Sequence, residues 1–264
     1  MTFTAKKKFG QNFLKNEAIQ KKFVSRALLL LTDYTQIDTI VEVGPGRGDL
    51  TQHLVLFDKR IIAFDIDEDA IEHNHSRFAE YPTFQIHQFD ALQRIAELSN
   101  IAGDNFLFFS NLPFNVGSRI LVDMPVYYPS TPLAVVLQKE VINKLKSNAS
   151  LSFFGAWLRL FYEIKFEFDI SPGNFDPAPK VVSTMITARP KQLPDWLHSQ
   201  KSREQAKKIL KLLFTYPSKT LANNLKLLGW DGVKIQEFLS ENKCASTTRL
   251  EWTNYMMIVK SIII

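Results

Sequence analysis

The chain has 264 residues, which is enough for one large domain or for a large domain with a smaller one. Hydrophobic residues make up 45% of the chain, so its composition excludes an intrinsically disordered protein. The net charge of +5 permits a polyanionic partner without requiring one.

Short apolar runs alternate with helical segments through the first half of the chain. Residues 1–15 form a basic arm, and a helix is predicted from Asn16, which can cap it. The predicted strands are 39–44, 60–67, 84–90, 105–110 and 132–138, and the predicted helices are 68–80, 91–99, 117–124 and 139–146, with one more helix opening after the glycine turn. This alternation predicts a parallel sheet with helices on both faces, and such sheets bind ligands at the carboxyl ends of their strands.

The pattern becomes less regular after residue 150 and turns helical from about residue 200. A helix is predicted in "SFFGAWLRLFY" and strands in "IKFEFDI" and "STMITAR". Pro190 and Pro194 indicate a boundary, so we predict one domain over 1–190 and a small all-α domain over 191–264.

A line of basic residues at i, i+4 spacing lies on the first helix of the predicted C-terminal domain. It consists of Arg203, Lys207 and Lys211, beside an apolar face. The line could follow RNA phosphates, or it could be an ordinary solvated helix face.

Cysteine and histidine usage bears on the compartment and on metals. Cys244 is the single cysteine, so no intrachain disulfide can form, which is typical of a reducing compartment. The N-terminus lacks the apolar stretch of a secretory signal, and no apolar run approaches the length of a membrane span. The five histidines show no metal-site spacing. We therefore expect a cytoplasmic protein without a metal site or a membrane partner.

The segment "VEVGPGRGDLT" places Gly44, Gly46 and Gly48 directly after a strand, where a ligand can approach the backbone closely. Asp65 closes the next strand, and an acid there suits the two hydroxyls of a ribose. Up to this point a dinucleotide-binding fold and a methyl-donor fold are equally compatible with the sequence. The dinucleotide pattern requires a glycine at position 49, where this chain has Asp49.

Two further acids favour the methyl donor. Glu42 lies two residues before the glycine turn, where a carboxylate would repel a pyrophosphate but would favour the ammonium and sulfonium of S-adenosylmethionine. Asp90 ends the third strand, where it can accept a hydrogen bond from an adenine amino group. Either acid alone could be an ordinary exposed residue, but together with Asp65 and the glycine turn they predict an S-adenosylmethionine site.

The fourth strand ends in the turn Asn111-Leu112-Pro113-Phe114. An aromatic amine is a poor nucleophile because its lone pair is delocalised into the ring. The Asn111 side-chain oxygen and the Leu112 carbonyl could accept both amino hydrogens and localise that lone pair. Pro113 would stiffen the turn, and Phe114 would stack on the base. The turn therefore predicts a site for an amino-bearing base.

Six segments, "KKKFGQNFLKN", "VEVGPGRGDLT", "FDID", "SNLPFN", "LQKEV" and "FDPAPKVVS", occur in the order and spacing of the ribosomal RNA adenine N6,N6-dimethyltransferases, which the chain resembles over roughly residues 5–190. The resemblance implies an α/β fold, namely a Rossmann-like class I methyltransferase domain with a mostly parallel sheet and a small all-α C-terminal domain. Leu112 and Gly10 favour the branch that modifies the small ribosomal subunit.

The resemblance also assigns roles to individual residues. Gln11 closes over the methionine part of the cofactor, and Phe175 helps to hold the target base, although Phe175 by itself could equally be a core residue. The implied cofactor-binding residues are Gln11, Asn12, Leu14, Glu42, Gly44, Gly46, Gly48, Asp65, Ile66, Asp90, Ala91 and Asn111. The implied catalytic residues are Asn111, Leu112, Pro113, Phe114 and Phe175.

The implied substrate is a pair of adjacent adenosines in the hairpin loop near the 3′ end of small-subunit (16S) ribosomal RNA, reached by a monomer during late assembly. The expected phosphate contacts are Lys6, Lys7, Lys8, Arg203, Lys207 and Lys211. The chain departs from its relatives in "LFTYPSKTL", which lacks their paired arginines, so docking on the ribosome is more affected than catalysis. Three alternatives remain: the large-subunit branch, a non-catalytic assembly factor, and a dinucleotide oxidoreductase, which Glu42 disfavours.

Overall fold

The computed structural model describes residues 6, 9–146, 152–216, 219–248 and 252–264. The strands in these ranges are β1 Phe13–Leu14, β2 Thr39–Val43, β3 Arg60–Asp65, β4 Phe84–Gln88, β5 Phe106–Asn111, β6 Leu133–Gln138, β7 Tyr162–Ile170, β8 Phe175–Asp176 and β9 Ser183–Pro190. The α-helices are α1 Glu17–Leu31, α2 Thr51–Leu54, α3 Glu68–Arg77, α4 Ala91–Arg94, α5 Ser99–Ala102, α6 Gly117–Tyr127, α7 Lys139–Lys146, α8 Phe153–Phe161, α9 Gln200–Thr215, α10 Leu221–Leu227, α11 Gly232–Glu241 and α12 Trp252–Ile263.

Within the described residues, seven strands form one sheet in the order β4-β3-β2-β5-β6-β9-β7. The pairs among β4, β3, β2, β5 and β6 are parallel, whereas β9 pairs antiparallel with both β6 and β7. The predicted α/β fold with a mostly parallel sheet is therefore confirmed. Because the parallel strands end at one edge, the segments after β2, β3, β4 and β5 come together there.

The central strands are buried along almost their whole length because both faces of the sheet are covered. All five residues of β2 are buried, as are the first five of β5. The predicted first helix is also confirmed. Its cap is Asn16, whose side chain accepts a hydrogen bond from the Ile19 backbone N–H at 3.3 Å, and its face with Phe23, Val24 and Ala27 is buried.

Three predicted elements differ in the structure. The helix expected over 91–99 is divided into α4, the 3₁₀ turn Ile95–Glu97 and α5. The helix after the glycine turn is only the four-residue α2. The arm contributes β1, which pairs antiparallel with β8. Two-residue strands are too short to produce any alternation in sequence, so this pairing could not be predicted.

The C-terminal helices extend the core that covers the sheet. Ala206, Ile209, Leu210 and Leu213 form the buried face of α9, as predicted, and they belong to the same hydrophobic cluster as Trp157 of α8. The core is therefore continuous across residue 190, and the division into domains at that residue stays a prediction. In the part of the chain that the structure describes, no helix is long and apolar enough to cross a bilayer.

Candidate active site

A cavity of about 270 Å³, called here the main cavity, lies at the carboxyl ends of β2, β3 and β5. The N-terminal arm forms one wall and the turn after β5 another. It brings together the predicted residues Gln11, Asn12, Gly44, Gly46, Asp65, Ile66, Asp90, Ala91, Asn111, Leu112, Pro113 and Phe114. The prediction missed Phe9, Gly10, Phe13, Val43, Phe64, Phe89, Leu92, Asn115, Val116 and Ile120. Most of these residues are sequence neighbours of predicted ones. That adjacency is the feature of the sequence that could have indicated them.

The glycine turn has a left-handed backbone, with φ +56° at Gly46 and +75° at Gly48. A Cβ atom on Gly46 would lie 2.4 Å from the Phe13 ring, so this glycine lets the arm pack onto the turn. A Cβ atom on Gly48 would lie 2.4 Å from Oδ1 of Asn74. Gly48 does not line the main cavity, which corrects its predicted contact with the cofactor: its role is to pack the turn against α3.

The two acids expected to hold a nucleoside both line the main cavity, and both are hydrogen-bonded to backbone amides. Asp65 accepts from the Gly46 N–H at 3.3 Å and from the Asp67 N–H at 3.0 Å. Burial raises the pKa of Asp65, and these backbone bonds oppose that shift. Asp90 caps α4, since its Oδ1 accepts from the Leu92 N–H at 2.9 Å. The backbone thus fixes the orientation of both carboxylates.

Glu42 lies beneath the glycine turn and does not line the main cavity. Its side chain is only 2% exposed, and its Oε2 accepts a hydrogen bond from the Thr51 hydroxyl at 2.7 Å. Burial raises the pKa of Glu42 to about 8, and the negative charges of Asp65 and Asp49 act in the same direction. The sequence predicted an ionised carboxylate beside the cofactor, whereas the structure places Glu42 beneath the turn, where burial favours the protonated form of its carboxyl.

Asn111 ends β5 with its side chain at the main cavity. Its Nδ2 donates to the backbone carbonyl of Asn12 at 2.9 Å, whereas its Oδ1 is buried and has no hydrogen-bond partner among the described residues. A buried acceptor without a partner costs about 1–3 kcal/mol. Because Asn111 lines the main cavity, a ligand that donates N–H groups is a suitable partner for this unpaired oxygen.

The rest of this turn is held rigidly. The Ser110 hydroxyl donates to the Val43 carbonyl at 2.5 Å, which joins the ends of β5 and β2. The Pro113 carbonyl accepts from the Gly117 N–H at 2.8 Å. The Leu112 side chain is buried, and a Cβ atom on Gly117 would lie 2.8 Å from its Cβ. The position of the turn is therefore set by β2 and by the start of α6.

Two residues predicted to face the ligand lie behind the cavity wall instead. Phe175 is fully buried, and its ring contacts the Phe114 ring edge-on, with centroids 6.3 Å apart and planes at 71°. No base fits between the two rings in this arrangement, so the structure corrects the predicted contact of Phe175 to support of Phe114 from the core. Leu14 is also buried in the core, through its pairing with Phe175 in the β1–β8 ribbon.

Ion pairs anchor the arm, and they bear on the predicted role of its lysines as phosphate contacts. Lys6 Nζ lies 2.5 Å from Oδ1 of Asp67 and 2.6 Å from Oδ2 of Asp69, and hydrogen bonds to these carboxylates raise the pKa of Lys6. The Lys6 backbone N–H donates to Gln11 at 2.8 Å. Lys6 is thus engaged with the protein, and its predicted phosphate contact stays a prediction. The predicted contacts Lys7 and Lys8 lie outside the described residues.

A second cavity, of about 430 Å³, lies between α6, α7, α8 and α9 and is called here the basic cleft. Arg119, Lys144, Lys207 and Lys211 line it, and Lys207 Nζ lies 2.6 Å from Oδ1 of Asp123. Leu92 lines both the basic cleft and the main cavity, so the two cavities share a wall. Arg119 and Lys144 were not predicted, because only the packing of four helices brings them beside α9.

Arg203 does not belong to the basic cleft. It is 6% exposed, and its guanidinium donates to the carbonyls of Val126 at 2.8 Å, Leu197 at 3.0 Å and His198 at 2.5 Å. Burial lowers its pKa. Its predicted role as a phosphate contact is corrected to a structural one.

The described residues contain no group of three or more His, Cys, Asp or Glu side chains arranged to hold a metal ion.

Comparison with known proteins gives consistent matches. The family model for ribosomal RNA adenine dimethylase matches residues 2–263. A protein of Campylobacter hominis named ribosomal RNA small subunit methyltransferase A is 29% identical, over 98% of this chain and 95% of its own length. Proteins with the same name from Synechococcus elongatus and Francisella tularensis are 30% and 32% identical, over 94% and 84% of this chain and 90% and 84% of theirs.

Two solved structures share the fold. A dimethyladenosine transferase from Plasmodium falciparum has a TM-score of 0.66 at 20% identity, with 95% of this chain and 89% of that one covered. The 23S rRNA methyltransferase ErmE has a TM-score of 0.64 at 19% identity, with coverage of 94% and 98%. At these identities the likeness establishes the Rossmann-like methyltransferase fold alone.

Proposed function

This chain belongs to the ribosomal RNA adenine dimethylase family, and from that premise we propose that it transfers methyl groups to N6 of adenosines in small-subunit ribosomal RNA. The family uses S-adenosylmethionine, which supplies an electrophilic methyl carbon on a sulfonium. The relatives named above act on the small subunit according to their names, which supports this branch over the large-subunit branch.

The residues of the main cavity fit this cofactor. Asp65 offers a carboxylate for the ribose hydroxyls, and Asp90 offers one for the adenine amino group. Ile66 and Ala91 would flank the nucleoside with apolar surface, and Gln11 would cover the methionine part from the arm. Glu42 would support the glycine turn from beneath through its hydrogen bond with Thr51, without contacting the cofactor.

Asn111 carries the proposed chemistry. Its buried, unpartnered Oδ1 would accept one hydrogen of the adenine amino group, and the Leu112 carbonyl would accept the other. Two acceptors draw the nitrogen towards a tetrahedral geometry and localise its lone pair, which makes it nucleophilic. These bonds strengthen as positive charge develops on the nitrogen, so they act mainly on the transition state. Attack on the methyl carbon would break its bond to sulfur and release the neutral thioether S-adenosylhomocysteine. The proton on the methylated nitrogen would then be acidic and could leave to water.

Phe114 would provide the stacking face for the target base, while Pro113 fixes the direction of the Leu112 carbonyl. Stacking on an aromatic side chain contributes about 1–3 kcal/mol per base. Phe175 packs behind the Phe114 ring and would keep that face in place. After the first transfer the nitrogen keeps one hydrogen, which either acceptor can still take, so a second methyl group can be added to the same nitrogen.

The basic cleft would hold the RNA backbone next to the main cavity. Its exposed basic side chains are Lys211, Arg119 and Lys144, whereas Lys207 forms an ion pair with Asp123. The proposed target is two adjacent adenosines in the 3′-terminal hairpin loop, because unpaired bases can be turned out into a pocket. The protein would act as a monomer in the cytoplasm on a late assembly particle, whose shape supplements a modest net charge of +5.

The decisive observation is the buried Asn111 Oδ1 without a partner among the described residues, and the experiment tests both substrate and role. Unmethylated small subunits, large subunits and bare transcripts are each offered with labelled S-adenosylmethionine. Small subunits should take up as many as four methyl groups, and Asn111→Ala should slow uptake by orders of magnitude while cofactor affinity stays nearly unchanged. Label mainly in large-subunit RNA would assign the chain to the other branch, and label in neither would favour a non-catalytic assembly factor.

A further inference from the structure

We propose that Arg47, in the glycine turn, is a positioning residue for methyl transfer, because it holds the arm where the Asn12 carbonyl keeps the Asn111 amide correctly oriented. This inference rests on the function proposed above. Arg47 does not line the main cavity, so its place in the glycine turn does not by itself give it a contact with the cofactor. Its contacts connect the glycine turn, the arm and β8.

The orientation of the Asn111 amide determines whether the site can work. The two ends of a carboxamide are nearly the same size, so a rotation of 180° would turn Nδ2 towards the main cavity. An adenine amino group would then meet a donor in place of an acceptor. The Asn12 carbonyl can only accept hydrogen bonds, so the 2.9 Å contact with Nδ2 selects the orientation in which Nδ2 bonds to the arm and Oδ1 is left free to accept from a ligand.

The Asn12 carbonyl belongs to the arm, and its position depends on how the arm is anchored. Asn12 directly precedes Phe13, which pairs with Asp176 in the antiparallel β1–β8 ribbon. This ribbon is two residues long on each strand. A ladder this short contributes little stability by itself, so side-chain contacts must supply the rest of the anchoring.

Arg47 supplies such contacts on both sides of the ribbon. Its Nη1 lies 2.9 Å from Oδ2 of Asp176, and its Nε and Nη2 lie 3.2 and 3.0 Å from Oδ2 of Asp49. The guanidinium also covers the Phe13 ring, 4.7 Å from its centroid. The Arg47 carbonyl in turn accepts from Nη1 of Arg77 at 2.5 Å. One side chain thus fixes both strands of the ribbon to the glycine turn.

The activity test measures single-turnover methylation of unmethylated small subunits at saturating cofactor. Arg47→Met and Asp176→Asn should each lower the rate roughly three- to tenfold, and the double variant should be no slower than the worse single variant. Arg189→Met is the matched control. Arg189 binds Asp33 through two nitrogens at 3.0 and 2.6 Å, joining distant segments away from both cavities. Its rate should change less than twofold.

A second background separates positioning from general loosening of the arm. In Asn111→Asp the carboxylate presents an acceptor in either orientation and no longer donates to the Asn12 carbonyl, so the arm has no amide to orient and adding Arg47→Met should slow that variant less than twofold. An equal slowing by Arg47→Met in the wild-type and Asn111→Asp backgrounds would overturn the proposal, because the effect would then not act through the amide orientation.

Side-chain amide NMR gives a readout that needs no RNA. The Asn111 NH₂ signals, assigned by their loss in Asn111→Asp, should shift towards the values of a solvent-exposed amide in Arg47→Met and stay unchanged in Arg189→Met. Unchanged signals in Arg47→Met would also overturn the proposal. A wild-type protein that methylates no RNA would refute the proposed function instead, and the amide signals would still decide the positioning role.

Discussion

The buried carboxyl of Glu42 makes the stability of the protein depend on pH in a defined direction. Its pKa is about 8 in the folded chain against an ordinary value of 4.5, so folding favours the protonated form. The stabilisation from this proton is complete below pH 4.5 and is lost as the pH rises through about 8. Because Gln is neutral at every pH and can still bond to Thr51, Glu42→Gln removes this dependence and little else.

The size of the effect follows from the two pKa values. One pKa unit corresponds to about 1.4 kcal/mol, so the interval from 4.5 to about 8 amounts to about 5 kcal/mol in the free energy of unfolding. Relative to wild type, Glu42→Gln should become more stable by up to about 1.4 kcal/mol for each pH unit across this interval. The gain should level off above pH 8, where wild-type Glu42 is ionised in both states.

Urea unfolding, followed by tryptophan fluorescence, to which the buried Trp157 contributes, measures this difference at pH 5, 6, 7 and 8. Glu97→Gln serves as the control. Glu97 is 45% exposed, and its hydrogen bond to Arg94 lowers its pKa, so its contribution should be small and of opposite sign. If the stability difference between Glu42→Gln and wild type does not change between pH 5 and 8, Glu42 is ionised in the folded protein and its assignment as a protonated group is wrong.

Three further perturbations address the two cavities. Gly46→Ala should weaken S-adenosylmethionine binding, because the left-handed backbone costs about 1–2 kcal/mol and the new Cβ displaces the arm; calorimetry measures this, and undiminished affinity would contradict the tight packing on the turn. Phe114→Tyr should methylate at nearly the wild-type rate, whereas Phe114→Ala should lose about 1–3 kcal/mol of base stacking; equal rates for the two variants would exclude a stacking role. Lys211→Ala and Arg119→Ala should each reduce the slope of log K for RNA binding against log salt concentration by about 0.7–0.9. An unchanged slope would show that the RNA does not bind in the basic cleft.

Local patterns were sufficient to predict where most of the main cavity lies. The period of the strands and the rule that ligands bind at their carboxyl ends brought Asp65, Asp90 and Asn111 to one edge of the sheet. This prediction needs no knowledge of packing, since parallel strands place their ends together wherever the helices lie. The glycine turn and the Asn111–Phe114 turn were predictable for the same reason.

The corrected residues depend on packing that no local pattern contains. Glu42 and Asp65 both occur near strand ends and point to the same face of the sheet, since Glu42 pairs with Ala63, two residues before Asp65. Asp65 ends its strand at the cavity, whereas Glu42 lies deeper in the sheet, under the turn. Arg203 lies at the border of the apolar face of α9, and only the approach of α6 decides that it is buried. The role of Phe175 could not be predicted either. Its sequence context does not show whether the ring contacts the ligand or packs behind another aromatic ring that does, as it does behind Phe114.

The buried guanidinium of Arg203 has a consequence for chimeric proteins. It connects the end of α6, which follows the Asn111–Phe114 turn, with the segment that leads into α9, so residues on both sides of position 190 share one set of hydrogen bonds. If the C-terminal helices were exchanged for those of a relative without arginine at this position, the Val126 carbonyl would lose its donor. Successful recombination therefore requires that α6 and the helices after residue 190 be inherited together, as one cassette.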